Sequence, residues 1–261
     1  MNESPRSNAL RETVESGEAA LGVLDNTYSP TMVEFLGELG LDFVWLDLEH
    51  AGPSPSDGPS LEHLLRAAER SGVEALVRLP EADPALVRKA LDAGARNLFV
   101  SRIETAEEVR RAVRAARFRY DGEAGDRGMA SPRASRWGTA EDYVDVEDAE
   151  TVVGATIENP TAIENIEEIL DVPELGFVFA GPLDISVALG YPGEPTHPEV
   201  EDAVEEIETA ALDADVPLGG LGFGPDDVSE KIDRGYRIIN VGTATGAVKQ
   251  SVTGWLDGIE R

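Results

Sequence analysis

Short apolar runs recur eight times along this 261-residue chain, each followed by a stretch of amphipathic, helix-like spacing. The runs are Ala19 to Leu24, Phe43 to Leu46, Ala75 to Leu79, Asn97 to Ser101, Thr151 to Ile157, Phe177 to Ala180, Val216 to Gly219 and Ile238 to Val241. After them come Pro30 to Leu39, Leu61 to Arg70, Pro84 to Ala93, Ala106 to Ala116, Ala162 to Leu170, two stretches after the sixth run (Ile185 to Leu189 and Glu199 to Leu212), Pro225 to Arg234 and Ala247 to Ile259. Unbroken apolar runs of strand length belong to parallel strands buried on both faces. Eight strand–helix units in about 250 residues predict an α/β fold of the (β/α)8 TIM-barrel type, one domain over residues 1–261. A doubly wound open sheet competes, but no G-x-G-x-x-G follows the first strand, where a dinucleotide fold carries one.

A barrel concentrates chemistry where its strands end, so those positions are the ones to inspect. The second run closes on Asp47, Glu49 and His50, the third on Arg78, and the fourth on Ser101 and Arg102. The fifth closes on Glu158-Asn159, the sixth on Gly181-Pro182-Leu183-Asp184, and the last two on Gly219 to Gly222 and Gly242-Thr243. A carboxylate at the end of a buried strand is costly to desolvate unless a cation compensates it. As a pair, Glu158 and Asp184 suit a hard divalent ion, Mg2+ or Mn2+, whose other positions take water and substrate oxygen. Either could instead cap a helix, and Asp184 stands in the right place for that before Ile185. The Gly181 to Asp184 turn also offers backbone amides to an anion such as a carboxylate. Arg78 supplies a fixed guanidinium able to hold a developing oxyanion, or simply the partner of a nearby carboxylate. Residues 118–140, long and rich in Gly and Arg, predict an active-site loop.

The only lysines are Lys89, Lys231 and Lys249, and all three fall in polar helical segments. A Schiff-base mechanism needs an amine at an inner strand end, so covalent amine catalysis is disfavoured. Metal-assisted enolisation with His50 as proton shuttle remains. Cysteine is absent, which removes thiolate sites and disulfides. Against 51 acidic residues stand 22 basic ones, a formal charge of -29 that repels nucleic acid and anionic membranes. Abundant carboxylates with few lysines fit a halophilic cytoplasm, where concentrated salt screens self-repulsion. The chain carries no apolar signal core and no apolar stretch of spanning length, as expected of a soluble cytoplasmic protein.

Asn26-Thr27-Tyr28-Ser29-Pro30, Gly40 to His50, Val77-Arg78-Leu79-Pro80, Leu91-Asp92-Ala93-Gly94-Ala95, Asp126-Arg127-Gly128, Arg133-Ala134-Ser135, Ile157-Glu158 and Gly181 to Ser186 recur in family-like order. Together they resemble the HpcH/HpaI aldolase/citrate lyase family over nearly the whole chain, within it the 4-hydroxy-2-oxoheptanedioate and 2-dehydro-3-deoxyglucarate aldolase branch. The resemblance implies a homo-oligomer, a hexamer or trimer, that exchanges its last helix, and a metal-dependent pyruvate aldolase that splits a 4-hydroxy-2-oxoacid into a 2-oxoacid and an aldehyde. By matching motif, Glu158 and Asp184 hold the ion and Arg78 stabilises the enolate. His50, oriented by Asp92, is the acid/base, and the Leu183 and Asp184 amides receive the pyruvate carboxylate. Asp47 and Glu49 match acidic positions behind the metal's waters.

Two departures bear on substrate range. Thr156 stands where the aldolase branch commonly has glutamine, altering a polar contact near the metal. The lead into Arg127-Gly128 reads Tyr120 to Gly125 in place of a proline-rich run, reshaping a loop expected over the mouth. Other readings of the same barrel are a malyl-CoA or citramalyl-CoA lyase, with the arginines at 110, 111, 114, 117 and 119 facing CoA phosphates, and a phosphosugar enzyme using Gly219 to Gly224 and Gly242 to Gly246.

Overall fold

The computed structural model describes residues 7–259, so the ends of the expected 1–261 domain lie outside the described residues. Eight parallel strands close into a barrel in the order β1 (Ala20–Asp25), β2 (Phe43–Asp47), β3 (Glu74–Leu79), β4 (Asn97–Val100), β7 (Val152–Ile157), β8 (Phe177–Ala180), β9 (Leu218–Leu221) and β10 (Tyr236–Thr243). Closure pairs Ala20 with Ile238 and Gly22 with Asn240, which leaves no free edge. A small antiparallel hairpin, β5 (Arg119–Tyr120) with β6 (Glu123–Ala124), lies outside the barrel.

Strand alternation divides the core in two. Val44, Leu46, Val77, Leu98, Val100, Val153, Ile157 and Val178 face outward into the helical layer, while Phe43, Trp45, Leu76, Phe99, Phe177, Phe179 and Ile238 fill the interior. Inside, Trp45 meets Phe99 at 5.1 Å and Phe179 at 5.4 Å, both edge to face. These rings fit because glycines stand beside them. A Cβ at Gly22 would come within 2.3 Å of the Phe43 ring, and one at Gly154 within 2.4 Å of the Phe177 ring. Gly154→Ala is therefore expected to overpack the interior and destabilise the chain by about 1–3 kcal/mol. An unchanged midpoint in thermal or urea unfolding would contradict this packing account.

Helix ends follow sequence signals. Helices α2 (Pro30–Glu38), α4 (Pro84–Ala93) and α11 (Pro225–Arg234) open with proline in the first turn, and α5 (Ala106–Ala116) opens on a Thr105–Glu108 capping box. Glycines at φ 107° end α4 and α11. Where the structure departs from the expected elements, the causes are local. The seventh strand begins at Leu218, two residues later than expected, after Asp215 at φ 54° and Pro217 break extended pairing. The helix expected over Ala162 to Leu170 is two short ones, α7 (Pro160–Glu164) and α8 (Ile166–Leu170), divided at Asn165. Two helices were not anticipated. Helix α1 (Ala9–Glu15) puts Leu10 into the interior cluster at the barrel's N-terminal end, and α6 (Tyr143–Glu150) leads into β7. No helix among the described residues is long and apolar enough to cross a membrane.

The connection at 118–140 is not a loop over this barrel's mouth. It follows helix α5 and precedes α6 and β7, so it lies at the N-terminal end of the strands. There the Ala134 amide donates to the Asp92 carbonyl (3.2 Å), Arg133 to the Ala93 carbonyl (2.9 Å), and Arg127 to Tyr143 and Glu147.

Candidate active site

At the opposite end, where the strands finish, four charged side chains meet over the aromatic interior. Asp47 and Arg78 are register partners on β2 and β3. Nε of Arg78 donates to Oδ1 of Asp47 at 2.9 Å and its Nη2 to Oδ2 at 2.6 Å, a forked pair that is almost wholly buried. The guanidinium also lies 4.9 Å over the Trp45 ring. Glu49 folds back so that its own amide donates to Asp47 Oδ1, and its buried carboxylate stands 3.4 Å from Arg78 Nη1 and 2.9 Å from Arg102 Nε.

Arg102 ties this cluster to the next strand end. With φ at 57° it turns its backbone amide onto Oε1 of Glu158 (2.6 Å) while its exposed guanidinium holds Glu49. Glu158 is 6% exposed and closes β7. Gly181 leaves it room, since a Cβ there would lie 2.8 Å from the Glu158 Cβ and 3.3 Å from Thr156. Burial first, then repulsion from Asp184 and Glu49, push the Glu158 carboxyl up to about 7, against the stabilising Arg102 amide. Asp184 sits exposed in the first turn of α9 (Pro182–Ala188), beside exposed Leu183. Neither carboxylate is a helix cap. Asn159 caps α7 and Gly181 occupies the capping position of α9.

Below the mouth, Trp45 Nε1, Ser101 Oγ, Thr156 Oγ1 and Asn240 Oδ1 are buried without hydrogen-bond partners among the described residues. Unpaired polar atoms on four staves mark a place where solvent or a polar ligand completes the bonding.

The predicted site residues thus fall into two groups. Arg78, Asp47, Glu49, Glu158 and Thr156 converge at the mouth with Asp184 at its rim, and half-exposed His50 stands there with Nε2 3.7 Å from Glu49. Asp92 does not join them. It lies in the last turn of α4, which runs antiparallel to the strands, and so belongs to the N-terminal end. Its surroundings are Arg127, Lys89 and Arg88, with burial raising its carboxyl and Arg127 opposing the rise. No hydrogen bond or ion pair joins it to His50 among the described residues. Arg102 and Tyr28 have no role in the sequence reading, although Arg102, two residues past β4, stands at a strand end. A groove of about 740 Å³ opens at the N-terminal end between Glu69, Arg96, Arg133, Trp137, Tyr143 and Glu147. It is remote from the charge cluster, and the mouth, with its unpaired polar atoms, is the better candidate for chemistry.

An eight-stave parallel barrel with paired carboxylates and a forked arginine at its C-terminal mouth defines a (β/α)8-barrel enzyme. The model of the HpcH/HpaI aldolase/citrate lyase family matches residues 22–250, and the chain belongs to that family. It is 33% identical over 239 residues to 2-keto-3-deoxy-L-rhamnonate aldolase of Escherichia coli (strain K12), covering 92% of this chain and 88% of that protein. Among solved structures it resembles an HpcH/HpaI family protein from Burkholderia cenocepacia J2315, with TM-score 0.90, 30% identity and coverage of 96% and 98%. The HpcH/HpaI aldolase from Desulfitobacterium hafniense DCB-2 superposes with TM-score 0.85 at 27% identity, covering 97% and 98%.

Proposed function

We propose that the chain is a carbon–carbon lyase that cleaves a 4-hydroxy-2-oxoacid to pyruvate and an aldehyde with the help of a divalent ion. The observation that carries this reading is the mouth cluster, in which Arg78 is held by Asp47 and Glu49 while Glu158 is buried beside like charges. The donor set fits a hard cation. Glu158 and Asp184 repel each other, both are oxygen ligands, and no group of three or more acidic, His or Cys side chains is gathered at metal-binding distance among the described residues. Two carboxylates with the remaining positions left to water and substrate are what Mg2+ or Mn2+ accepts. When bound, such an ion supplies Lewis-acid stabilisation of negative charge on substrate oxygen.

The chain's own groups do the rest. The N–H donors of Arg78 not taken by Asp47 or Glu49 face the 2-oxo oxygen, and the fork keeps them there without reorganisation as charge develops. His50 takes the C4 hydroxyl proton, the C3–C4 bond breaks to release the aldehyde, and a proton delivered to C3 completes pyruvate. The Leu183 and Asp184 amides at the start of α9 receive the pyruvate carboxylate.

A second copy of the chain completes this reading. Within one chain His50 and Asp92 stand at opposite ends, so any His–Asp dyad forms between subunits. Of helix α12 (Ala244–Asp257) only Ala244 is buried, and Val248, Val252, Trp255 and Leu256 form an exposed apolar stripe. Phe35 and Leu39 on α2 are equally exposed, as expected of an oligomer that exchanges its last helix. The direct test is a screen of 4-hydroxy-2-oxoacids in high salt, with and without Mg2+ or Mn2+. Metal-dependent pyruvate release is expected, and turnover that survives EDTA, or release from CoA thioesters alone, would overturn the assignment.

A further inference from the structure

The loop between β1 and α2 brings to the mouth a residue with no task in the reading above. Tyr28 has φ at 52°, a left-handed conformation that a non-glycine residue keeps only when its surroundings impose it. Here they do. Asn26 Nδ2 donates to Thr245 Oγ1 at 2.7 Å, the Thr245 amide returns a bond to Asn26 Oδ1, and buried Asp25 accepts from the Thr27 amide (2.9 Å) and hydroxyl (2.6 Å). The Tyr28 ring is lodged where β2 ends. A Cβ at Gly52 would lie 2.7 Å from Tyr28 Cε1 and 2.6 Å from the Asp47 carbonyl oxygen.

So placed, the Tyr28 hydroxyl is buried yet bonded to nothing among the described residues. Neither acidic neighbour accepts from it, although Oδ2 of Asp25 is itself buried without a partner among the described residues. Asp47 accepts from Arg78 Nε, Arg78 Nη2 and the Glu49 amide, and Asp25 Oδ1 accepts from Thr27. Burial, then Asp47 and Asp25, push the phenol up to about 12, so it keeps its proton at any working pH. A buried hydroxyl without a partner costs stability. If Tyr28 served only packing, phenylalanine would serve better.

We propose that Tyr28 is a substrate-binding residue of the lyase reaction, its O–H donating a hydrogen bond, beside Arg78, to the 2-oxo oxygen that gains charge as the C3–C4 bond breaks. The proton stays on the phenol throughout. This rests on the pyruvate-lyase reading, and the test separates the two. Tyr28→Phe in the full chain, with Mg2+ or Mn2+ present, is compared with wild type in three measurements: kcat for 4-hydroxy-2-oxoacid cleavage, exchange of pyruvate methyl protons in D2O, and the thermal midpoint. Cleavage and exchange are expected to fall together by about ten- to a hundredfold, within the range for loss of an oxyanion donor. KM should move little, and the midpoint should stay level or rise. Unchanged rates would overturn the proposal. So would a loss of cleavage with exchange intact, which places the donor on the aldehyde half, or a midpoint that drops with the rates, which marks a structural role. A wild-type protein that neither cleaves nor exchanges overturns the lyase reading itself and this proposal with it.

Discussion

Glu158→Gln is expected to eliminate turnover, by at least about a thousandfold, while making the metal-free protein more stable at pH 8. The two effects share one cause. Glutamine keeps an oxygen to accept the Arg102 amide, so the 2.6 Å bond that shapes the end of β7 can persist. What is lost is the negative charge. In the native chain that charge is held among Asp184 and Glu49 in a buried place, which lifts the carboxyl from 4.5 to about 7. A carboxyl raised in the folded state contributes stability that is complete below about 4.5 and is lost as pH climbs through about 7, a swing of roughly 3 kcal/mol. At pH 8 the wild type has given up that contribution and the glutamine variant has no charge to accommodate. At pH 4 the difference should vanish.

A divalent ion reverses the comparison, because it favours the ionised form and binds the folded state alone. Wild type should gain thermal stability on adding Mn2+ at pH 8 and progressively less below pH 7, as protons compete for Glu158. The variant should gain little at either pH. Metal-dependent stabilisation of the variant equal to wild type, or turnover retained by it, would remove Glu158 from the metal site.

Much of this was legible in the sequence because strand ends are read by position. A buried apolar run must stop somewhere, and the first charged side chain after it is delivered to the mouth whatever the loop does, as with Asp47, Arg78 and Glu158. The same rule, applied more strictly, would have put residues 118–140 at the other end, since that connection follows a helix and precedes a strand. The barrel pattern was equally legible, with α4, α5 and α11 bounded by proline, capping-box and glycine signals. Less legible was α1, whose seven residues bury Leu10 through contacts with distant Glu74, Asn97 and Glu150. By the same rule Asp92, in the last turn of a helix that leads into β4, belongs at that other end too, apart from His50 at the mouth. Tyr28 needed the folded chain as well, since an ordinary N-T-Y-S loop discloses neither its φ nor its unpaired hydroxyl.

Arg78 offers the second large effect, and a graded series separates its two duties. Arg78→Met leaves Asp47, only 3% exposed, as a buried anion without its partner, and should cost about 3–5 kcal/mol in urea unfolding besides eliminating activity. Arg78→Lys keeps a charge near Asp47 but gives up the fork, because an ammonium cannot donate two parallel bonds and still face the substrate. It should remain within about 2 kcal/mol of wild type while kcat falls about a hundred- to a thousandfold, the range for loss of one oxyanion donor. The discriminating variant is the double substitution Asp47→Asn with Arg78→Met, which removes the stranded charge. If Arg78 is present both to neutralise Asp47 and to stabilise the enolate, the double variant recovers most of the lost stability and none of the activity. Unrecovered stability would mean that it follows the guanidinium's packing on Trp45 rather than the fate of the Asp47 charge, and recovered activity would remove Arg78 from the enolate site.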